Sequence, residues 1–397
     1  MSNSRSPVDV LIVGGGIIGL TVALKASTEG MSVMLLERGQ LGQGASSVAA
    51  GMLAPVAEAE YGQSAKRVLA LGIHSARLWP RFVSELELAA SVEVGFRQTG
   101  TLLLARDDDE ARELERQLAL CDSLGLEVRR LRASQARSRE PALAPTVRLA
   151  AEAPDDHSVD PRLVMAALRI ACEQRGASIR EQEPVVGIEV DRRCERVVGV
   201  RSKAGELHTA NVVVLAGGAW SGRIEGLLPQ EQIPIRPVKG QIMRLRDPSG
   251  PGLLSRVVRF EGGYLVPRGD GQYVLGASVE ERGFDCRPTA GVIYELLREA
   301  HELIPGVTEL QIEEIDVGLR PGTPDNAPVI GAGAIAGLIW ATGHYRNGVL
   351  LAPLTGKILA GLLTGNCDDE LAELASMCAP TRFADSQARH DAIGVLR

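Results

Sequence analysis

Aromatic side chains make up only 3% of this 397-residue chain, so its core must be built from Ala, Val, Leu and Ile. Cysteine is sparse and scattered. Cys121, Cys172, Cys194, Cys286, Cys367 and Cys378 include no C-x-x-C pair, which argues against a disulfide framework and a zinc site. The six histidines are dispersed, with no two at i, i+4, so neither a metal site nor metal catalysis is expected. Such a pattern suits the reducing cytoplasm. No window approaches roughly 18 uninterrupted apolar residues, so no membrane span is expected. Positive charge is also short. A net charge of −7, from 43 Lys+Arg against 50 Asp+Glu, gives no global attraction to nucleic acid.

What remains is a globular chain, 45% hydrophobic and 23% charged. Its length suits two domains, or one large domain with a second inserted.

The chain is organised around residues 8–37, VDVLIVGGGIIGLTVALKASTEGMSVMLLE. Val10–Val13 is an all-apolar run of the kind that forms a strand buried on both faces. Gly14, Gly16 and Gly19 follow at dinucleotide-fingerprint spacing, for a tight turn, close approach to a pyrophosphate, and helix-on-strand packing. Leu20–Thr28 reads as helix, Gly30 closes it, and Ser32–Leu36 is a second strand. Free N–H groups at Ile17 and Ile18 would receive phosphates. Glu37, placed to accept both ribose hydroxyls, would repel a 2′-phosphate and so disfavours NADP. A signal peptide would need Arg5 and the apolar run to flank no acid, yet Asp9 stands between them, followed by three glycines.

Residues 38–55, RGQLGQGASSVAAGMLAP, are small and show no helical or strand period. A long loop inside a compact domain is usually functional. Its small residues let backbone approach a flat or anionic ligand, with Arg38 at its start. Ser46 and Ser47 add hydroxyl donors, and Ala50, Gly51 and Met52 continue the contact.

Residues 63–90 read as a helix kinked near Pro80. Thr99–Ala105 is a strand, and 107–125 a solvent-facing helix with acids at its N-terminus. Asp160-Pro161 opens a helix that Gly176 ends. Two or three antiparallel strands should span 178–209, and the run Val212–Leu215, ending at Gly217, should rejoin the first sheet. Val185 could offer its backbone to adenine. Strands are expected at 233–246, 257–260, 264–268, 273–279 and 310–320, with a helix near 289–303. That is a largely antiparallel second domain. Leu338–Ala341 is a strand that turns through 343–351 into a helix near 353–364.

Three separated contact regions (fingerprint, small-residue loop, late glycine-rich turn) suit a long, permanently bound dinucleotide. FAD fits best.

The stretches GASSVAAGML, YLVPR with Tyr264, GLRPGTPDNAPVIG and ATGHYRNGVLLAP resemble the glycine oxidase (thiazole-pathway) branch of the D-amino acid oxidase family, from about residue 8 to 365. The resemblance implies an α/β fold. A glutathione reductase-type, Rossmann-like FAD domain (8–80, 155–225 and 325–365) would be interleaved with an α+β substrate domain on a mostly antiparallel sheet (81–154 and 226–324). Residues 366–397 would form a tail. It further implies hydride removal from the α-carbon of an amino acid, an imine that hydrolyses, O2 as acceptor, and a homodimer or homotetramer.

By the same resemblance Arg320 binds the substrate carboxylate, as its planar fork can do bidentately. Tyr264 meets that carboxylate or shields it, and Arg346 lies near substrate and flavin. The backbone of His344, Tyr345, Arg346, Asn347, Gly348, Val349 and Leu350 would wrap the flavin's pyrimidine edge. Met52 would border the substrate pocket. Gly262 and Val279 replace the His and Met of some glycine oxidases, which would enlarge that pocket toward sarcosine or a larger amine. RPGTPD occupies the place of the covalent-flavin cysteine motif of monomeric sarcosine oxidases, so the flavin should be non-covalent. Three alternatives stand beside glycine: a larger N-carboxymethyl amine or D-amino acid, a modified tRNA base, and a flavin-binding protein without turnover.

Overall fold

The computed structural model of the chain describes residues 7–191, 193–228 and 231–383. Val8–Val13 is the centre of the first sheet, whose order is Val329–Ala332, Leu338–Thr342, Leu207–Leu215, Val8–Val13, Val33–Leu36, Ser178–Arg180. All neighbours run parallel except the first pair. Side chains alternate across the central strand. Val10 and Ile12 face a core shared with helices Ile17–Thr28, Gln63–Ala90, Pro161–Gln174 and Gly348–Thr364. Leu11 and Val13 face a second core closed by Ile188, Val197 and Val200 of the adjoining hairpin. Burial on both faces is why this strand is apolar throughout.

Expectation and structure part in places. The stretch 178–209 is not one antiparallel group. Ser178–Arg180 joins the parallel sheet beside Val33–Leu36, and Leu207–Leu215 is one strand serving two partners. Its start pairs antiparallel with Arg196–Ser202, and its end runs parallel to Val8–Val13. The helix at Gln63–Ala90 has the expected bounds, with Pro80 inside it.

The second sheet has the order Gln311–Gly322, Arg236–Arg246, Gln272–Gly276, Gly263–Pro267, Val257–Phe260, Thr101–Ala105, Leu149–Ala153, Arg129–Arg132. It is mixed. Val257–Phe260 and Thr101–Ala105 run parallel, while the other neighbours are antiparallel. Helix Ala290–Leu303 buries Leu296, Ala300 and Leu303 against Met243, Leu265 and Leu275. Helix Asp108–Ser123 places Leu114 and Cys121 on the opposite face, with Leu103 and Ala151. The latter helix starts where the Asp107 carboxylate accepts the N–H groups of Asp109 and Glu110.

Residues 366–383 do not trail away as a tail. Helix Asp369–Cys378 buries Leu371, Leu374 and Cys378 in the core around the first sheet; residues 384–397 of the expected tail lie outside the described residues. Among the described residues no single helix is long and apolar enough to cross a membrane.

Candidate active site

A cavity of about 640 Å³ runs between the two sheets, within the size range of small-molecule and cofactor sites. One part is built on the glycine turn. Gly14, Gly16, Ile17 and Ile18 line it, and Gly14 has φ +111°. A Cβ on Gly14 would stand 2.5 Å from the Ala216 carbonyl oxygen, so only glycine lets the turn close against the strand ending at Leu215. Gly19 does not line the cavity; it lies against the Gly14 carbonyl, bringing helix onto strand.

Glu37 lines the cavity and braces the turn. Its Oε2 accepts the Gly15 N–H at 2.7 Å and its Oε1 the Gly39 N–H at 2.9 Å. Each carboxylate oxygen keeps a further lone pair for a ribose hydroxyl. Ser46 Oγ accepts the Ile17 N–H at 3.0 Å, so that donor, expected free for a phosphate, is already satisfied within the protein. Its own hydroxyl proton remains available to an anion.

Ser46 sits on a short helix, Ala45–Val48, formed within the loop that was expected to lack regular structure. Arg38, Ala50, Gly51, Met52, Val185 and Gly217 all line the cavity. Ser47 does not. Its hydroxyl donates to the Gly44 carbonyl, and its own carbonyl accepts from Arg244 Nη2 at 2.6 Å. Adjacent residues of a helical turn point different ways, so Ser46 and Ser47 cannot both face the ligand.

The wall opposite comes from the second sheet. Arg320, in strand Gln311–Gly322, and Tyr264, in strand Gly263–Pro267, both line the cavity. Arg320 Nη1 donates to the Ser278 carbonyl at 2.9 Å. No carboxylate within the described residues forms an ion pair with it. Burial pushes the Tyr264 phenol up, against the pull of Arg320 and Arg346, so its hydroxyl stays a donor at neutral pH.

The turn 343–348 supplies His344, Tyr345, Arg346, Asn347 and Gly348 to the same lining, followed by Val349 and Leu350. Tyr345 holds φ +49° and donates its N–H to the Pro321 carbonyl at 3.0 Å. A bulky residue in that conformation costs about 1–3 kcal/mol, which the anchor to the residue after Arg320 offsets. The following helix begins at Gly348 and not near 353, so its N-terminus lies at the cavity. Pro353 interrupts its hydrogen-bond ladder. One residue along, the Leu354 N–H turns to Ser75 Oγ at 3.4 Å, and Ser75 and Trp79 both donate to the Leu350 carbonyl it leaves, at 2.6 and 2.9 Å.

His344 is sealed in. Its Nε2 lies 3.0 Å from Thr355 Oγ1, and burial pushes its pKa down to about 3, so it is neutral and no general base near neutrality. Arg346 Nη2 pairs with Glu60 at 2.5 Å. Burial opposes its charge, but Glu58 and Glu60 outweigh that and hold its pKa above the ordinary value.

Two residues expected at the pocket lie elsewhere. Gly262 is the turn between two strands, with φ +84° and its open side toward Glu299. Val279 lies beyond Gly276, where its strand stops, and is 56% exposed. Neither lines the cavity, so neither enlarges it. Several residues that do line it escaped the sequence: Glu58, Trp220, Arg223, Gly240 and Cys286. No spacing marks them; they arrive from separate turns and strands. Four aromatic and cationic side chains form a ladder along one rim. Arg38 Cζ lies 3.5 Å from the Trp220 ring centre, Trp220 is 5.4 Å from Phe284, and Arg223 Cζ covers Phe284 at 3.7 Å.

These residues fit FAD. A helix start and glycine turn offer donors to a pyrophosphate, and an acid at strand end offers acceptors to a ribose. The cavity then continues to a phenol and a guanidinium on a different sheet.

Comparison with known proteins agrees. Residues 9–362 match the family described as FAD dependent oxidoreductase. Glycine oxidase of Geobacillus kaustophilus (strain HTA426) is 34% identical, over 89% of this chain and 92% of that one. The crystal structure of glycine oxidase from Geobacillus kaustophilus superposes with a TM-score of 0.84 at 32% identity, covering 92% of this chain and 96% of the other. Iminodiacetate oxidase from Chelativorans sp. BNC1 gives 0.81 at 28% identity, covering 91% and 96%. The chain belongs to the FAD-dependent oxidoreductase family.

Proposed function

We propose that this enzyme oxidises glycine or a small N-substituted glycine to an imine, which water hydrolyses to glyoxylate and the amine. The observation that carries the proposal is Arg320, a guanidinium in the cavity wall whose hydrogen-bond partners are carbonyl oxygens, 2.9 Å away at Ser278 and 3.4 Å at Lys239. A charge left without a counter-charge at a ligand cavity is an anion site, and a guanidinium fork matches a carboxylate.

FAD, when bound, would supply the acceptor for the hydride (its two electrons and one proton), and reoxidation by O2, with the two electrons and two protons, would give H2O2. The chain's own residues bind and orient. Arg320 holds the substrate's acid end, and the Tyr264 hydroxyl, kept protonated by burial, donates a second bond to it. The α-carbon is thereby fixed relative to the cavity's opposite wall, the main source of rate when no proton need be moved. The reacting form is the neutral amine, reached by the substrate's own ionisation, because His344, its pKa pushed down to about 3 by burial, is no base for an ammonium near neutral pH.

A larger N-carboxymethyl amine is the second reading, favoured by Arg346, another guanidinium in the same lining whose partner Glu60 is 60% exposed and free to leave. Cys286 lines the cavity, and we take the flavin to be non-covalent; acid precipitation should leave the yellow colour in solution. A homo-oligomer would cover Ile312 and Ile315, exposed on the outer strand of the second sheet.

The deciding experiment mixes the purified yellow protein anaerobically with glycine, sarcosine, N-ethylglycine, D-alanine and iminodiacetate. Bleaching of the flavin by glycine or sarcosine supports the first reading, and bleaching by iminodiacetate alone the second. Bleaching by none of them leaves a flavin-binding protein without this turnover.

A further inference from the structure

Away from the cavity lining, Glu183, Glu206 and His208 converge from a loop, a hairpin turn and a strand start. One donor atom from each lies within 4.8 Å of the others. His208 Nε2 is 3.6 Å from Glu183 Oε1, and His208 Nδ1 is 3.6 Å from Glu206 Oε1. Both are too long for a hydrogen bond. The His208 side chain is only 4% exposed, yet its Nε2 is buried with no hydrogen-bond partner. Ser202 Oγ is buried beside them, and its hydroxyl is directed at Glu183, whose carboxylate it helps to keep ionised. A buried polar atom without a partner costs about 1–3 kcal/mol, so an unpartnered imidazole nitrogen beside a pair of carboxylates calls for an occupant.

We propose that a divalent cation of the zinc class binds here through His208 Nε2, Glu183 and Glu206, with water completing its shell. One imidazole nitrogen with two carboxylate oxygens suits zinc, whereas magnesium and calcium favour oxygen alone. Zinc–ligand bonds of about 2.0–2.1 Å in tetrahedral geometry put neighbouring ligand atoms roughly 3.4 Å apart, close to the 3.6 Å between His208 and Glu183. Glu206 is the ligand that must swing. Its side chain is 56% exposed, and its contact with Arg180 is 3.5 Å, so little holds it back.

The site would act on cofactor retention. The Glu183 N–H donates to the carbonyl of Glu37 at 2.8 Å, and the next two residues, Pro184 and Val185, line the cavity. A cation holding Glu183 to the hairpin stiffens that wall.

The test titrates the holoenzyme with zinc chloride by calorimetry, then measures zinc and flavin retained after gel filtration. One zinc per chain is expected in the parent and in His301→Ala, an exposed histidine elsewhere, with uptake lost in His208→Ala and Glu183→Gln. Magnesium should not compete. Zinc should slow flavin loss several-fold in the parent and leave both site variants unchanged. The near-isosteric Glu183→Gln answers alone if His208→Ala fails to fold. No zinc uptake, or equal uptake by parent and site variants, would show an ion pair only and overturn the proposal. Uptake without slower flavin loss would overturn its link to the cofactor.

Discussion

Gly240 lies so close beneath Arg320 that a Cβ there would stand 2.5 Å from both terminal nitrogens of the guanidinium. The two residues occupy neighbouring strands of the second sheet, Arg236–Arg246 and Gln311–Gly322. Gly240→Ala must therefore displace the guanidinium while leaving its charge in place. KM for glycine is expected to rise about tenfold, a loss of ~1.4 kcal/mol, with flavin content unchanged. Steady-state kinetics and the protein-to-flavin absorbance ratio check both halves.

Removing the charge should cost more. Loss of one partner of a buried charged pair is worth roughly 2–5 kcal/mol, so Arg320→Ala should raise KM for an amino acid far more than it lowers flavin content. Arg320→Lys should recover only part of the loss, since an ammonium lacks the fork. An Arg320→Ala enzyme with parental KM would take the carboxylate site away from this residue.

Turnover should follow the substrate's own ionisation. With His344 neutral, kcat/KM should rise with pH as the substrate ammonium deprotonates, and His344→Gln should keep that rise. A profile flat in pH, or one reshaped by His344→Gln, would put a protein base into the reaction.

Stability should respond to His344 where activity does not. Its pKa falls from 6.5 to about 3 on burial, so between those values the unfolded chain binds a proton that the folded chain refuses. The folded state therefore keeps its full stability above pH 6.5 and loses a few kcal/mol as pH falls toward 3. Urea unfolding across this window should show a shallower pH slope for His344→Gln than for the parent.

The rim ladder predicts a retention phenotype. Phe284→Ala removes an aromatic contact and a cation–π contact, about 0.5–1.5 kcal/mol each, from a rim that includes Arg38, next to Glu37. FAD should dissociate several-fold faster while KM for the amino acid at saturating FAD stays unchanged. Fluorescence of released flavin measures the first, and peroxide production the second.

The glycine turn was legible because local rules dictate it. Gly14 needs a positive φ, Gly19 needs no side chain against the Gly14 carbonyl, and the apolar strand before them is buried on both faces. That Arg320, Tyr264 and the turn after Gly343 line one cavity was to be expected only through resemblance, since an arginine at a strand end has no local signature. Ser47, Gly262 and Val279 misled for one reason. Position along a chain does not say which way a residue faces once a helical turn forms or a strand stops early.

The chain's order of residues thus determined the glycine turn of the nucleotide half, where Gly15 meets Glu37 and Ile17 meets Ser46 across fewer than thirty residues. Tertiary structure alone decided the rest. Arg320 meets Gly240 and Trp220 meets Phe284 across sequence separations that no periodicity spans. These meetings depend on which strands pair within a sheet and on how the elements of the two sheets pack, which is set by the sum of burial over the cores and not by any single motif.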